Sequence, residues 1–139
     1  MTVIDASVLV SWFHQADAFH HPTRVWLREY LLAGGRLVAP VLLQSEVAGA
    51  LTRRTSSQAI GARASRWFQA LPEIHLFPLD KALGQRAAEL AIDLRLRGAD
   101  AIYVAVAEQL GLPLITWDRE QFELGQQRVM TRRPHELSV

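Results

Sequence analysis

The stretch RLRGADAIYVAVAEQLGLPLITWD, residues 95–118, reads as a helix that turns straight back into a strand. Apolar residues run through ADAIYVAVAEQLG with no breaking residue until Gly111, which suits the left-handed position that closes a helix. LPLITW follows at once, with the length and apolar content of a buried strand. Both parts of this unit carry a carboxylate: Asp100 in the first turn of the helix, Asp118 directly after the strand. Thr116, two residues before Asp118, leaves the strand from the same face.

The alternation extends outward through the whole chain. Residues 2–5 read as a strand that passes into a helix over about 6–14. HPTRVWLREYLLAGG has Pro22 near a helix start and Gly34-Gly35 past its end. RLVAP is a short strand ended by Pro40. Residues 41–54 are helical, with Leu43, Val47, Ala50 and Leu51 on one face. SSQAIGARASRWFQALP starts at a serine cap and stops before Pro72, and IHLFPL is a strand. DKALGQRAAELAIDLRLRG reads as a long helix closed by Gly98. REQFEL, after Asp118, is a short helical stretch, and RVMT is a short final strand. Strands alternating with helices predict a parallel sheet covered on both faces, with residues 1–139 as a single α/β domain. Ligands of such sheets bind beyond the carboxyl ends of the strands, where the strand order reverses.

Composition narrows the class. The chain has 139 residues, half of them hydrophobic, which suits one folded domain with a sizeable core. It contains no Cys, so disulfides and thiolate metal sites are excluded. No apolar run reaches a membrane-spanning length and the start lacks a secretory pattern, so a cytoplasmic location is expected. The net charge of +1 says nothing about nucleic acid, but Arg makes up all the basic residues except Lys81. If four acids are committed to a cation, 15 basic side chains face 10 acidic ones and the rest of the molecule carries +5. Clusters at Arg53-Arg54, Arg95 with Arg97, and Arg132-Arg133 then fit a phosphate track, or simply a solvated surface.

Four acids stand in apolar settings, and each has a structural role open to it. Asp5 ends the first strand and is placed to cap the following helix. Ser7 is also available as a cap if Asp5 serves a cation. Asp100 complements a helix dipole, and Asp118 can cap REQFEL. Glu46 lies at the edge of the buried face of its helix, within reach of Arg53 or Arg54. Together, however, Asp5, Asp100 and Asp118 fall on one rim of the predicted sheet, and Glu46 faces inward from the helix after the second strand. Four carboxylates there cannot all remain ionised without a cation. An all-oxygen set points to Mg²⁺ or Mn²⁺ rather than Zn²⁺, and such a site suits phosphodiester hydrolysis. The histidines offer no rival: His20-His21 read as a loop pair, and His14, His75 and His135 are scattered.

VIDASV, APVLLQSEVAGAL, RLRGADAIYVAVAEQLGLPLITWD and REQF together resemble the PIN-domain nucleases, and in length the VapC-type toxins of toxin–antitoxin pairs. The resemblance covers nearly the whole chain, in the family's order and spacing. It implies a three-layer α/β/α fold with a central, mostly parallel sheet of four to five strands and an acidic pocket at its carboxyl edge. It matches Asp5, Glu46, Asp100 and Asp118 to the family's acidic quartet, and Ser7 and Thr116 to its supporting hydroxyls. By this likeness Asp5 and Asp100 bind Mg²⁺ or Mn²⁺ directly, Asp118 holds a metal water or second ion, and Glu46 orients or deprotonates the attacking water. Gly98-Ala99 departs from the bulkier polar residues many relatives carry there. The resemblance further implies endonucleolytic cleavage of RNA, a homodimer, and a small antitoxin that packs across the helices and covers the site. Trp67, Phe68 and Leu71, and the stripe Val8, Leu9, Trp12 and Phe13, fit either such a partner or the core.

Two other functions remain open from sequence. A phosphate-transfer domain of receiver or dehalogenase type also places an Asp after its first strand, but it needs a Lys near a later strand and here only Lys81 exists. A non-catalytic RNA-binding module could keep the fold, though retention of all four acids speaks against it.

Overall fold

The computed structural model describes residues 1–137. Five strands form one sheet: β1 (Thr2–Ile4), β2 (Leu37–Pro40), β3 (Ile74–Phe77), β4 (Leu114–Ile115) and β5 (Thr131–Arg132). Their spatial order is β3-β2-β1-β4-β5, and every neighbouring pair is parallel. Seven α-helices connect them: α1 (Ala6–Phe13), α2 (His20–Leu32), α3 (Leu43–Thr55), α4 (Gln58–Ala70), α5 (Lys81–Leu94), α6 (Gly98–Leu110) and α7 (Arg119–Gly125). A 3₁₀ turn over Pro134–Glu136 follows β5 and packs on α2.

The chain builds outward from β1 to β3 on one side, then returns past β1 to lay down β4 and β5 on the other. Right-handed crossovers make each direction of travel deposit its helices on one face. The reversal therefore puts α1–α4 on one face and α5–α7 on the other. Packing of α1 on α2 and α3, of α3 on α4, and of α5 on α6 agrees with this division. The buried strands Thr2–Ile4, Leu37–Pro40 and Leu114–Ile115 lie between the layers. Small residues on α6, including Ala101, Ala105 and Ala107, are all but inaccessible and let that helix lie close against β1 and β2.

Several element boundaries depart from the sequence reading. Helix α5 ends at Leu94 rather than Gly98, because Arg95 adopts a left-handed conformation at φ 57°. That early break lets Leu96 enter the core and leaves Arg97 extended as the N-cap of α6, with Gly98 as its first residue. Gly111 closes α6 at φ 63°, as its position in the sequence predicts. Strand β4 is shorter than LPLITW: beyond Thr116 the backbone N–H of Trp117 turns to the Ser7 hydroxyl. The final strand starts at Thr131, so RVMT supplies only its first residue. His20 and His21 lie in the first turn of α2, not in a loop, and His20 Nδ1 meets the Ser11 carbonyl at 2.8 Å.

Candidate active site

The switch in strand order falls between β1 and β4, and acids follow both strands. The Asp5 N–H donates to the Ile115 carbonyl at 3.0 Å, so the ladder runs up to the carboxylate itself. Asp5 is 5 % exposed and caps α1, its Oδ2 accepting the Ser7 N–H at 2.9 Å. Asp118 caps α7, with Oδ1 accepting the Gln121 N–H at 2.7 Å. Both capping readings thus hold in geometry, and the other oxygen of Asp118 meets Arg97 at 3.0 Å. Ser7 does not cap α1. Its Oγ accepts the Trp117 N–H at 3.0 Å and lies 3.4 Å from the Thr116 hydroxyl. Thr116 Oγ1 accepts the Asp118 N–H at 3.0 Å and reaches Asp5 Oδ2 at 3.5 Å. Two hydroxyls thereby lash the ends of β1 and β4 together.

The other two acids come from helices on opposite layers. Asp100 lies in the first turn of α6 and Glu46 in the first turn of α3. Glu46 does not pair with Arg53 or Arg54. Its Oε1 accepts the hydroxyl of Tyr103, one turn after Asp100 on α6, at 2.7 Å. Arg54 instead meets Asp17 at 3.5 Å. Arg97 bridges two acids: Nε donates to Asp100 Oδ2 at 3.2 Å and Nη2 to Asp118 Oδ2 at 3.0 Å. Arg133 is likewise engaged, donating to the Thr116 carbonyl and lying over the Phe122 ring. Of the three arginine pairs marked in the sequence, only Arg53-Arg54 lines the cleft beside the acids. That cleft, about 510 Å³, also has Ser7, Glu46, Trp117 and Asp118 in its wall.

The electrostatics follow from crowding and burial. Burial raises the Asp5 carboxyl above its ordinary value, opposed by the Ser7 hydrogen bonds and reinforced by Asp118. Asp100 is pushed up to about 6, first by burial, then by Asp5 and Asp118, against the opposing pull of Arg97. Glu46 is raised by burial and by Asp5, with the Tyr103 bond opposing. Tyr103 is itself raised by burial and by the surrounding carboxylates, so it stays a hydrogen-bond donor. Carboxyls pushed up by burial and by one another mark a site short of positive charge.

Sequence reasoning missed Arg97, Tyr103 and Gln121 as parts of this site. Arg97 and Tyr103 flank Asp100 at helical spacing, three residues to either side, which was the available signal. Gln121 stands three residues after the Asp118 cap, where a capping box would send its amide back to the cap N–H. Thr116 already takes that N–H, so the fully buried Gln121 turns inward, its Nε2 3.3 Å from the Asp100 carbonyl. Its Oε1 has no hydrogen-bond partner among the described residues.

These features fit a hydrated divalent ion. The donors are all oxygen, a guanidinium stands between two carboxylates, and a buried amide oxygen lacks a partner. Among the described residues, no three His, Asp or Glu side chains are grouped so that they could hold a metal ion together. Mg²⁺ does not require three, since it takes one or two carboxylates and keeps several waters. Lys81 is exposed at the start of α5, after the edge strand β3, and is not part of the cleft wall.

Comparison with curated protein sequences finds no match. Similar solved structures include VapC20 of Mycobacterium tuberculosis, described as a sarcin-ricin loop cleaving toxin. It is 16% identical, with a TM-score of 0.77 over 96% of this chain and 100% of that one. A toxin–antitoxin complex from Klebsiella pneumoniae matches at 19% identity and TM-score 0.66, covering 99% of this chain and 100% of that one. VapBC2 of Rickettsia felis, bound to a DNA fragment from its promoter, matches at 9% identity and TM-score 0.69, covering 95% and 97%. Each likeness concerns the fold. The PIN domain family model matches residues 2–126, which spans every acid of the site, and the chain belongs to the PIN domain family.

Proposed function

We propose that this protein is a divalent-metal-dependent endoribonuclease, acting in the cytoplasm as the toxin of a toxin–antitoxin pair. The observation that carries the reading is the meeting of Asp5, Asp100 and Asp118 at the strand switch point of a PIN domain, with Glu46 on the facing helix and a deficit of positive charge among them. Asp5 and Asp100 would hold the ion directly, with Asp118 and Glu46 acting through its waters. PIN domains generally use divalent ions; Mg²⁺ or Mn²⁺ would supply Lewis acidity, charge neutralisation at phosphorus and a more acidic water. The chain's own groups do the rest. Ser7 and Thr116 hold the β1 and β4 ends in register, so that Asp5 and Asp118 need no reorganisation. Tyr103 binds one oxygen of Glu46, leaving the other to accept a proton from the attacking water. A carboxyl raised by burial is better matched to that task near neutral pH.

The antitoxin proposal draws on the complexes named above. Among the described residues, no helix is long and apolar enough to cross a membrane. Val8, Leu9 and Phe68 are core residues, but Trp12, Phe13 and Trp67 remain partly exposed, with Phe13 and Trp67 edge to face at 5.5 Å. This band would face the antitoxin or a second copy in a homodimer. The test is cleavage of total RNA by purified protein in Mg²⁺ or Mn²⁺. Cleavage should stop with chelator and in Asp5→Asn and Asp100→Asn, and both variants should lose toxicity to the host. Intact RNA with the metal-loaded wild type, together with undiminished toxicity of the variants, overturns the reading.

A further inference from the structure

An aromatic column that none of the catalytic roles uses runs into the cleft, whose wall holds two of its rings, Phe19 and Trp117. Three rings stack in the order His135, Trp117, Phe19. Phe19 and Trp117 lie 4.2 Å apart at 4°, and Trp117 and His135 lie 5.7 Å apart at 27°. The middle ring is fixed at both ends: Trp117 Nε1 donates to Thr23 Oγ1 at 2.8 Å and its backbone N–H to Ser7. The end ring, Phe19, is 42 % exposed and lines the same cleft as Glu46, Trp117 and Asp118.

Phe19 occupies the N-cap position of α2, where Ser, Thr, Asp or Asn is strongly preferred, and it makes no side-chain cap bond. The chain therefore forgoes a cap and leaves a large apolar ring in water. The ring is nonetheless held by its stack on Trp117, and the backbone beneath it by the Phe19 N–H donating to Asp17 Oδ1 at 2.8 Å. Asp17 in turn pairs with Arg54, so the platform is tied to the basic pair of the cleft. A rigid, exposed aromatic face flanked by Arg53 and Arg54 and set beside carboxylates has the makings of a single-strand site: stacking for a base, cations for the backbone.

We propose that Phe19 is the open end of a nucleobase-stacking platform that takes one unpaired base of the RNA beside the scissile bond. This rests on the nuclease reading above and adds to it a substrate class. A base within a duplex has no free face, so the platform selects single-stranded or looped RNA.

The experiment measures binding of a short, labelled, unstructured oligoribonucleotide to the full chain without divalent ion, and cleavage with it. Phe19→Ala should weaken single-strand binding by about 5- to 150-fold, the range for losing one base–aromatic stack. Phe19→Leu, which keeps apolar bulk without a π face, should lose nearly as much, and Phe19→Tyr should bind like wild type. The difference between wild type and Phe19→Ala should vanish on a strand whose bases have been removed. Thermal unfolding of each variant guards against a folding effect. Equal binding by wild type, Ala and Leu variants, with cleavage still abolished by Asp5→Asn, overturns the platform and leaves the nuclease reading standing. An equal loss on the abasic strand also overturns it. Wild type that neither binds nor cleaves RNA overturns both.

Discussion

The two halves of the acidic site are held in different ways. Asp5 and Asp118, at the ends of β1 and β4, are tied to the backbone: each caps a helix, with the Thr116 hydroxyl reaching both and Arg97 on the other oxygen of Asp118. Asp100 and Glu46, in helical first turns, are fixed by side chains, through Arg97 and Tyr103. A backbone-capped acid does structural and chemical work at once, so its removal should harm both. A side-chain-held acid is free of that duty, and its charge is mainly a burden until a cation arrives.

The largest expected effect sharpens this contrast. Asp5→Asn and Asp100→Asn should each reduce RNA cleavage by on the order of a hundred- to ten-thousandfold, equivalent to several kcal/mol of lost transition-state stabilisation. Stability should separate Asp5→Ala from Asp100→Asn. Asp5→Ala, which removes the α1 cap, should cost about 1 kcal/mol. Asp100→Asn should stabilise the metal-free protein at pH 7.5 by about 1 kcal/mol, the full linkage value being reduced because the carboxylate is partly solvated. Chemical denaturation of both variants without divalent ion measures the difference, and parallel losses of stability would erase the contrast.

The next effect is on pH. Asp100 titrates at about 6 in the folded protein, above the usual value for an unfolded Asp of roughly 3.9. The folded state therefore binds more protons through that window. The stabilising contribution is complete below about pH 4 and is lost as pH rises through about 6. Asp5 and Glu46, also raised, act in the same direction. Metal-free protein should melt at a higher temperature at pH 5 than at pH 7.5. Asp100→Asn should flatten the profile, and Mn²⁺ at pH 7.5 should restore the loss. A metal-free melting temperature that climbs from pH 5 to 7.5 contradicts the charge-deficit account.

Arg97 allows a smaller test. It bridges Asp100 and Asp118 from a largely exposed position, so each pair contributes little in water. Removing it takes away a built-in competitor for the cation. Arg97→Ala should bind Mn²⁺ about three- to tenfold more tightly by calorimetry and lose up to about 1 kcal/mol of metal-free stability. Weaker Mn²⁺ binding would assign Arg97 a supporting role instead.

The same contrast explains what could be seen in the sequence. Asp5 and Asp118 were legible because each follows a short apolar run and precedes a helix, a pattern set by local chain geometry. The parallel sheet was legible for the same reason. Glu46 was visible as a misplaced charge, but its partner was not: Tyr103 is 57 residues away and meets it only because α3 and α6 converge on one rim from opposite layers. Arg97 looked like part of a phosphate track because nothing local shows that α5 breaks at Arg95. A glycine at 98 resembles a helix stop, whereas the break falls earlier, at the left-handed Arg95, and brings Leu96 into the core. Gln121 carries no local sign that it turns inward toward the Asp100 carbonyl.

The smallest effect tests the assignment of the base. Tyr103 is wholly buried, and Tyr103→Phe removes only the hydroxyl that binds Glu46. The fold should lose about 1 kcal/mol or somewhat more, as for a hydrogen bond to a charged group. That bond lowers the Glu46 carboxyl against the upward pull of burial, so its removal should raise the carboxyl further. If Glu46 accepts the proton of the attacking water, the acidic limb of the cleavage–pH profile must move to higher pH in Tyr103→Phe, with a several-fold loss of rate near neutrality. At high pH, where Glu46 is ionised in both proteins, the rates should converge. A uniform loss at every pH would mean that Tyr103 only positions α3 against α6, and the proton would have to go to another of the four acids.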